Sequence, residues 1–256
     1  DNASSRGLGD VYKRQATKLA PYPWRVGNKG FTKPFLKSLE RLNNKLDIVQ
    51  IHWSTAKYNP WQELQLLNNL CDLIDQGFNF QIGLSNIGPQ RLKKIIQYLS
   101  KRDKKVKSVQ IQFSLLSPDF LKNTNVKRIC ENNHIDFLAY SPLSFGILCI
   151  DPEKDEDKQN SFLRSLIFKN YKKSTTELRR CLKEIAISRS VSQAQVAINW
   201  CCYQGAIPLV GMRKKSQVID ISNVFKWNLN QKEFGMLQKA SQKCLKKMPS
   251  NPFSSS

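Results

Sequence analysis

The chain has 256 residues, 40% of them hydrophobic, enough to bury the core of one α/β barrel or of two small domains. No apolar run approaches the roughly 18 residues of a membrane helix, and no charged-then-apolar leader suggests secretion, so we expect a cytoplasmic protein. A net charge of +21, from 41 Lys and Arg against 20 Asp and Glu, on its own favours nucleic acid, an anionic membrane or phosphorylated ligands.

The positive charge is spread out. Basic residues recur along amphipathic helical stretches, as at 91–94, 101–107 and 169–173, and do not alternate with aromatic residues in one groove. They are interpreted mainly as solvated helix faces, and nucleic-acid binding is the weaker interpretation despite the charge. The seven cysteines form no CxxC pair and are predicted to be reduced apolar fillers. With only two histidines, no metal site is predicted.

Along the chain, residues 1–15 have no periodicity and are interpreted as a disordered, non-native scar, with native sequence expected from Ala16. Residues 16–245 form the predicted domain, and 246–256 a loose tail. Short apolar runs predict strands at 16–20, 48–53, 81–85, 109–113, 137–141 and 207–210. Amphipathic stretches predict helices at 32–42, 61–76, 89–99, 121–132, 175–188, 193–203, 216–224 and 231–241.

Alternating strands and helices are typical of βα units and a parallel sheet. A closed (β/α)8 TIM barrel needs eight strands, whereas the pattern predicts six. The predicted fold is therefore an α/β, (β/α)8 TIM barrel without its first two strands and helices.

The run LDIVQIHW, residues 46–53, predicts a buried parallel strand with His52 at its carboxyl end. Such barrels carry their chemistry at that end, so His52 is a candidate catalytic group. By itself, a histidine there is more often a hydrogen-bonded core residue than a catalytic one.

Several other polar residues lie at predicted strand ends, which a barrel brings onto one rim. Ser, Asn and Gln side chains suit a carboxamide, an aromatic ring can stack on a flat ring, and a glycine followed by three cations suits a phosphate. Together they indicate a nicotinamide dinucleotide, although individually the Ser-Asn pair fits a turn and the cations fit a helix start. The residues are Lys18, Ser85, Asn86, Gln112, Tyr140, Ser141, Leu143, Gly211, Arg213, Lys214 and Lys215.

Motifs in this order resemble the aldo-keto reductase family from Ala16 to about Ser241. They are ATK with PWR, LDIVQIHW, IGLSN, VQIQFSLL, LAYSPLSFGIL and IPLVGMRKKSQ. The segment ATKLAPYPWR is similar to the cyanobacterial and chloroplast branch.

The resemblance implies a role for each matching residue. Lys18 and His52 match two members of an Asp-Tyr-Lys-His catalytic tetrad. Ser85, Asn86 and Gln112 match contacts to the nicotinamide carboxamide, and Tyr140 matches the stacking aromatic. The resemblance also implies NADPH or NADP as cofactor, with Ser141 and Leu143 along the pyrophosphate and Gly211, Arg213 and Gln217 at the adenosine end.

The sequence departs from the family pattern in three places. The tetrad Asp and Tyr have no counterpart, and Tyr12 has the wrong spacing. A Glu-Asn pair near the adenine is replaced by Asp220 and Ile221. A lysine after Gly146 that would cover the pyrophosphate is absent, with Arg164 as a candidate substitute.

The expected function is NADPH-dependent reduction of a small aldehyde or ketone, with no metal and no membrane. Without the tetrad tyrosine, the chain as it stands is expected to be inactive. The alternative is an NADPH-binding regulatory or sensor subunit similar to potassium-channel beta subunits, which would retain cofactor with negligible turnover.

Overall fold

The computed structural model describes residues 14–117, 120–153, 171–249 and 255. The predictions for 1–13, for Arg164 and for most of the tail lie outside these ranges. The chain divides into two compact units. Among the described residues, the first contains 14–109, 128–135 and 255, and the second contains 110–117, 120–127, 136–153 and 171–249.

Strands and helices alternate in the described ranges, as predicted. The strands are β1 (Ala16–Leu19), β2 (Ile48–Ile51), β3 (Gln81–Ser85), β4 (Val106–Gln112), β5 (Asp136–Tyr140) and β6 (Ile207–Leu209). The α-helices are α1 (Thr32–Arg41), α2 (Pro60–Asp75), α3 (Pro89–Ser100), α4 (Phe120–Asn132), α5 (Thr176–Ser188), α6 (Gln193–Tyr203), α7 (Lys215–Ser222) and α8 (Gln231–Lys243).

In the first unit, β1, β2 and β3 pair in parallel. Lys18 is the register partner of Gln50, and Gln50 is the partner of Gly83. Parallel strands end at a common edge, so His52 and Ser85 lie at the same edge, each two residues beyond this row. The helices cover the strands with fully buried leucines such as Leu66 and Leu70, each contributing about 1.5–3 kcal/mol by burial.

Gly83 allows two buried polar side chains to meet. The Gln50 amide nitrogen donates to the Ser108 hydroxyl at 3.2 Å, and both side chains are almost fully buried. A Cβ on Gly83 would lie 2.6 Å from Ser108 Oγ and 2.7 Å from Gln50 Cγ. The absence of a side chain therefore makes room for the hydrogen bond.

In the second unit, β5 pairs in parallel with β6. The Phe113 amide, just after β4, donates to the Tyr140 carbonyl at 3.2 Å, which brings the end of β4 beside that of β5. Phe113 also stacks on Trp200 of α6, with 5.3 Å between ring centroids. Both aromatic residues are almost fully buried and form the core that holds these strand ends.

Most predicted boundaries agree with the structure within one or two residues. The Asn59 side chain accepts a hydrogen bond from the Gln62 amide at 3.1 Å and caps α2, while Gly77 and Gly205 end α2 and α6 with φ of +98° and +75°. Two details differ: β4 begins three residues early, at Val106, and a 3-10 helix spans Ser144–Cys149.

Candidate active site

Lys18 lies in β1, and His52 immediately follows the neighbouring strand β2 in the first unit. The His52 amide donates to the Leu19 carbonyl at 3.0 Å, which ties the end of β2 to the end of β1. Because side chains alternate along a strand, Lys18, its partner Gln50 and His52 project to the same face. The predicted lysine and histidine are therefore neighbours.

The electrostatics of the pair agree with this placement. Desolvation lowers the pKa of His52, and the positive charge of Lys18 lowers it further. Desolvation also lowers the pKa of Lys18, although the residue as a whole is exposed. At neutral pH, His52 is therefore a neutral imidazole that can donate one N–H and accept at the other nitrogen.

Ser85 and Asn86 lie at the end of β3, and both are buried. The Asn86 amide nitrogen donates to the His52 carbonyl at 3.0 Å and to the Ser85 hydroxyl at 3.2 Å. Asn86 has a left-handed backbone, with φ of +55°, which Asn tolerates better than most residues. Asn86 is thus tied by one hydrogen bond to the His52 backbone and by another to the Ser85 side chain.

Gln112 and Tyr140 lie at adjacent strand ends in the second unit, and both are half-buried. The Asn123 side chain donates to the Gln112 carbonyl at 2.9 Å. This bond fixes the backbone at the end of β4.

A left-handed turn follows Tyr140. Positive φ values occur at Ser141, Ser144, Phe145 and Gly146, between +49° and +97°. Backbone turned in this way directs amide groups into concavities that bind anions. The turn lines a cleft of about 780 Å³ in the second unit, together with residues Leu209 to Arg213 and Gln217.

Arg213, which lines the cleft, is followed by two more cations at the start of α7. Gln217 Oε1 accepts hydrogen bonds from the amides of Arg213 at 2.8 Å and Lys214 at 3.1 Å. Gln217 thereby holds the Arg213–Lys215 segment in place, and this segment is exposed to solvent. Left-handed backbone, a helix start and cations give the cleft the chemistry of a phosphate site.

Asp220 and Ile221, which replace the family's Glu-Asn pair, line a second cavity of about 610 Å³. This cavity shares Leu143, Gly211 and Gln217 with the first cleft. Both Asp220 oxygens accept hydrogen bonds at 2.7 Å, one from the Ser192 hydroxyl and one from the Gln195 amide. The Asp220 carboxylate is therefore fixed in place, although Asp220 and Ile221 differ from the Glu-Asn pair that the resemblance implies.

Sequence reasoning missed a group of aromatic residues around His52. The His52 and Trp53 rings lie 5.2 Å apart, and Tyr22 meets Trp53 edge-on at 5.6 Å. The aromatic residues themselves are visible in the sequence, in the PYPW run after β1 and in Trp53 after the histidine. The sequence does not show that the two loops meet, because that contact is tertiary.

The cysteines all have free thiols. Five are buried, and burial raises the pKa of Cys130 to about 12 and that of Cys181 to about 11, which makes them unreactive. Cys149 differs from the predicted apolar filler because it is exposed and lines both cavities. Within the ranges given above, no cluster of three or more His, Cys, Asp or Glu could hold a metal ion, and no helix is long and apolar enough to cross a membrane.

Comparison with known proteins identifies the family. The model of the Aldo/keto reductase family matches residues 14–242. The chain therefore belongs to the Aldo/keto reductase family, which confirms the resemblance drawn from the motifs.

Its relatives include the chloroplastic pyridoxal reductase of Arabidopsis thaliana, which is 38% identical over 93% of this chain and 65% of its own length. L-glyceraldehyde 3-phosphate reductase of Escherichia coli K12 is 23% identical over 77% of the chain and 60% of its own length. The chain thus spans less than two thirds of either relative.

Solved structures show the same fold. A glycerol dehydrogenase from Gluconobacter oxydans gives a TM-score of 0.71 at 22% identity, covering 88% of this chain and 67% of that one. A Gox0644 variant in complex with NADPH gives 0.67 at 18% identity, covering 89% and 70%. The predicted class, a partial (β/α)8 barrel, is confirmed.

Proposed function

We propose that the protein reduces a small aldehyde or ketone to an alcohol with NADPH. The observation that carries this proposal is the proximity of Lys18 and His52 at the ends of two adjacent parallel strands. The chain that holds them belongs to the Aldo/keto reductase family. In the reaction, a hydride adds to the carbonyl carbon, a proton adds to the oxygen, and NADPH becomes NADP⁺.

Each unit carries groups whose chemistry suits one part of a nicotinamide dinucleotide. Ser85 and Asn86 supply hydroxyl and amide groups for the carboxamide, with Gln112 and Tyr140 as the further predicted contacts. Ser141, Leu143, Gly211 and Gln217 line the cleft whose backbone suits a pyrophosphate, and Arg213 supplies a cation for a 2′-phosphate. When bound, the cofactor would supply the hydride.

His52 acts on the carbonyl, and Lys18 acts on the proton donor. A neutral His52 donates an N–H to the substrate oxygen, which orients the carbonyl and polarises its carbon. The Lys18 ammonium favours negative charge nearby, so it lowers the pKa of a hydroxyl proton donor placed beside it. We propose that this donor is a tetrad tyrosine in a segment outside this sequence, and that the present chain alone does not turn over.

The test is a comparison of the complete gene product with its His52→Ala variant, by loss of NADPH absorbance with small aldehydes. The panel includes pyridoxal and L-glyceraldehyde 3-phosphate, which appear in the names of two relatives. Loss of a general acid–base or orienting group typically costs roughly 10²–10⁴-fold in rate. Unchanged turnover in His52→Ala would remove the proposed role of this residue.

A second candidate is an NADPH-binding regulatory subunit. It is favoured by a specific observation: the cofactor-contact positions have matches in the sequence, whereas the tetrad Asp and Tyr do not. Tight NADPH retention by the complete gene product, with no turnover on any carbonyl, would support it.

The cellular location is also a proposal. We propose the cytoplasm, and because one relative is named as chloroplastic, a plastid is the alternative that cell fractionation should test.

A further inference from the structure

Ser255 lies beside the turn that follows β3, next to a residue proposed to contact the nicotinamide. Its amide donates to the Asn86 carbonyl at 3.3 Å, and its hydroxyl accepts a hydrogen bond from the Gly88 amide at 3.0 Å. Ser255 is only 2% exposed, and it belongs to the first unit although it follows Gly88 by 167 residues in the chain. The two hydrogen bonds hold residues 86–88, which we call the β3–α3 turn.

The β3–α3 turn receives little support from its own side chains. Asn86 has a left-handed backbone with φ of +55°, a conformation that costs free energy in a residue with a side chain. Gly88 is the N-cap residue of α3, and it has no side chain with which to accept from the first amides of the helix, as Ser or Asp would. Ser255 therefore supplies a hydroxyl at a place where Ile87 and Gly88 have no polar side chain.

The side chain of Asn86 has a fixed orientation. Its amide nitrogen donates to the His52 carbonyl at 3.0 Å and to the Ser85 hydroxyl at 3.2 Å, which uses both of its hydrogens. The amide oxygen is then the atom that would accept from the NH2 group of a carboxamide. Because the direction of this oxygen follows the backbone of residue 86, the contact from Ser255 bears on it directly.

We propose that Ser255 is a positioning residue for the cofactor: by holding the β3–α3 turn, it keeps the Asn86 amide in the orientation that binds the nicotinamide carboxamide. The inference rests on the proposed function, since NADPH is the ligand. Ser255 acts through Asn86, and ordering the turn before the cofactor arrives lowers the entropic cost of binding. Ser255 should therefore matter for the nicotinamide half of the cofactor and not for the adenosine half, whose proposed contacts lie in the second unit.

The test compares two ligands of the complete gene product by isothermal titration calorimetry. One is NADPH, and the other is 2′,5′-ADP, which keeps the adenosine and its 2′-phosphate but has no nicotinamide. Ser255→Ala should weaken NADPH binding about two- to tenfold, the range of one lost hydrogen bond, and leave the affinity for 2′,5′-ADP unchanged. If Ser255 only stabilised the fold, the substitution would weaken both ligands alike.

Two further variants serve as controls. Ser255→Thr keeps the hydroxyl and should retain the NADPH affinity of the unsubstituted protein. Ser100→Ala removes an exposed serine hydroxyl at the other end of α3 and should change neither affinity. The contact itself is measured without cofactor, by NMR hydrogen exchange at the Gly88 amide. Exchange there should be faster in Ser255→Ala and close to that of the unsubstituted protein in Ser255→Thr.

Three results would each overturn the inference: unchanged NADPH affinity in Ser255→Ala, equal losses for both ligands, or unchanged exchange at Gly88. The proposed function fails separately, if the unsubstituted gene product oxidises no NADPH with any carbonyl compound. A selective loss of NADPH binding without turnover would keep the positioning role and reject the reductase. Turnover with an unaffected Ser255→Ala variant would do the reverse, and a gene product that binds no NADPH would reject both.

Discussion

Gly83→Ala should destabilise the first unit by crowding Gln50, its register partner on β2, and Ser108. The added Cβ would lie 2.6 Å from Ser108 Oγ and 2.7 Å from Gln50 Cγ, closer than carbon atoms normally approach. Both neighbours are almost fully buried, so they cannot swing into solvent. Overpacking of this kind costs about 1–3 kcal/mol of unfolding free energy.

The assay is urea denaturation followed by far-UV circular dichroism. Gly235→Ala is the matched control, because Gly235 lies in α8 with open space around it and should gain about 0.5–1 kcal/mol from helix propensity. In a Gln50→Ala background, the Gly83→Ala penalty should shrink, since one of the two close contacts is gone. A Gly83→Ala chain as stable as the unsubstituted one would refute the close packing of this row.

Other predictions concern charge. In an NMR titration, Lys18→Met should raise the pKa of His52, because the lysine charge helps to lower it. An unchanged His52 pKa in this variant would show that the two side chains do not interact. The lowered pKa of His52 also predicts that the chain loses stability as the pH falls below about 6.5, since the unfolded state then binds the proton more readily. Arg213→Ala should weaken NADPH binding roughly tenfold or more and leave NADH binding nearly unchanged. The control variant Lys239→Ala, on α8, should change the binding of neither cofactor. Equal losses of NADPH and NADH binding in Arg213→Ala would contradict a contact with the 2′-phosphate.

Periodicity and turn residues were sufficient to predict most of the fold. The run at 46–53 could be recognised as a strand because it is apolar and short, and Asn59 with Gly77 marked the ends of α2. The 3-10 helix at Ser144–Cys149 could not be predicted in the same way. Its residues Phe145 and Gly146 adopt left-handed backbone, which a bulky residue such as Phe145 rarely prefers, so local preference does not predict it.

The candidate site was predictable where position on a strand decides placement, as for Lys18 and His52. It was not predictable where side chains from separate loops meet. The contact of Tyr22 with Trp53 depends on Gln62 holding the first loop, and the fixation of Asp220 depends on Ser192 and Gln195 of another helix.

The central claim is hydride transfer to a carbonyl carbon in a site containing Lys18 and His52. The most direct measurement incubates the complete gene product with an aldehyde and NADPH deuterated at the transferable position of the nicotinamide, and then analyses the alcohol by mass spectrometry. We expect one deuterium on the carbinol carbon, with the yield sharply reduced in His52→Ala. Alcohol without deuterium, or no alcohol from any aldehyde, would contradict it.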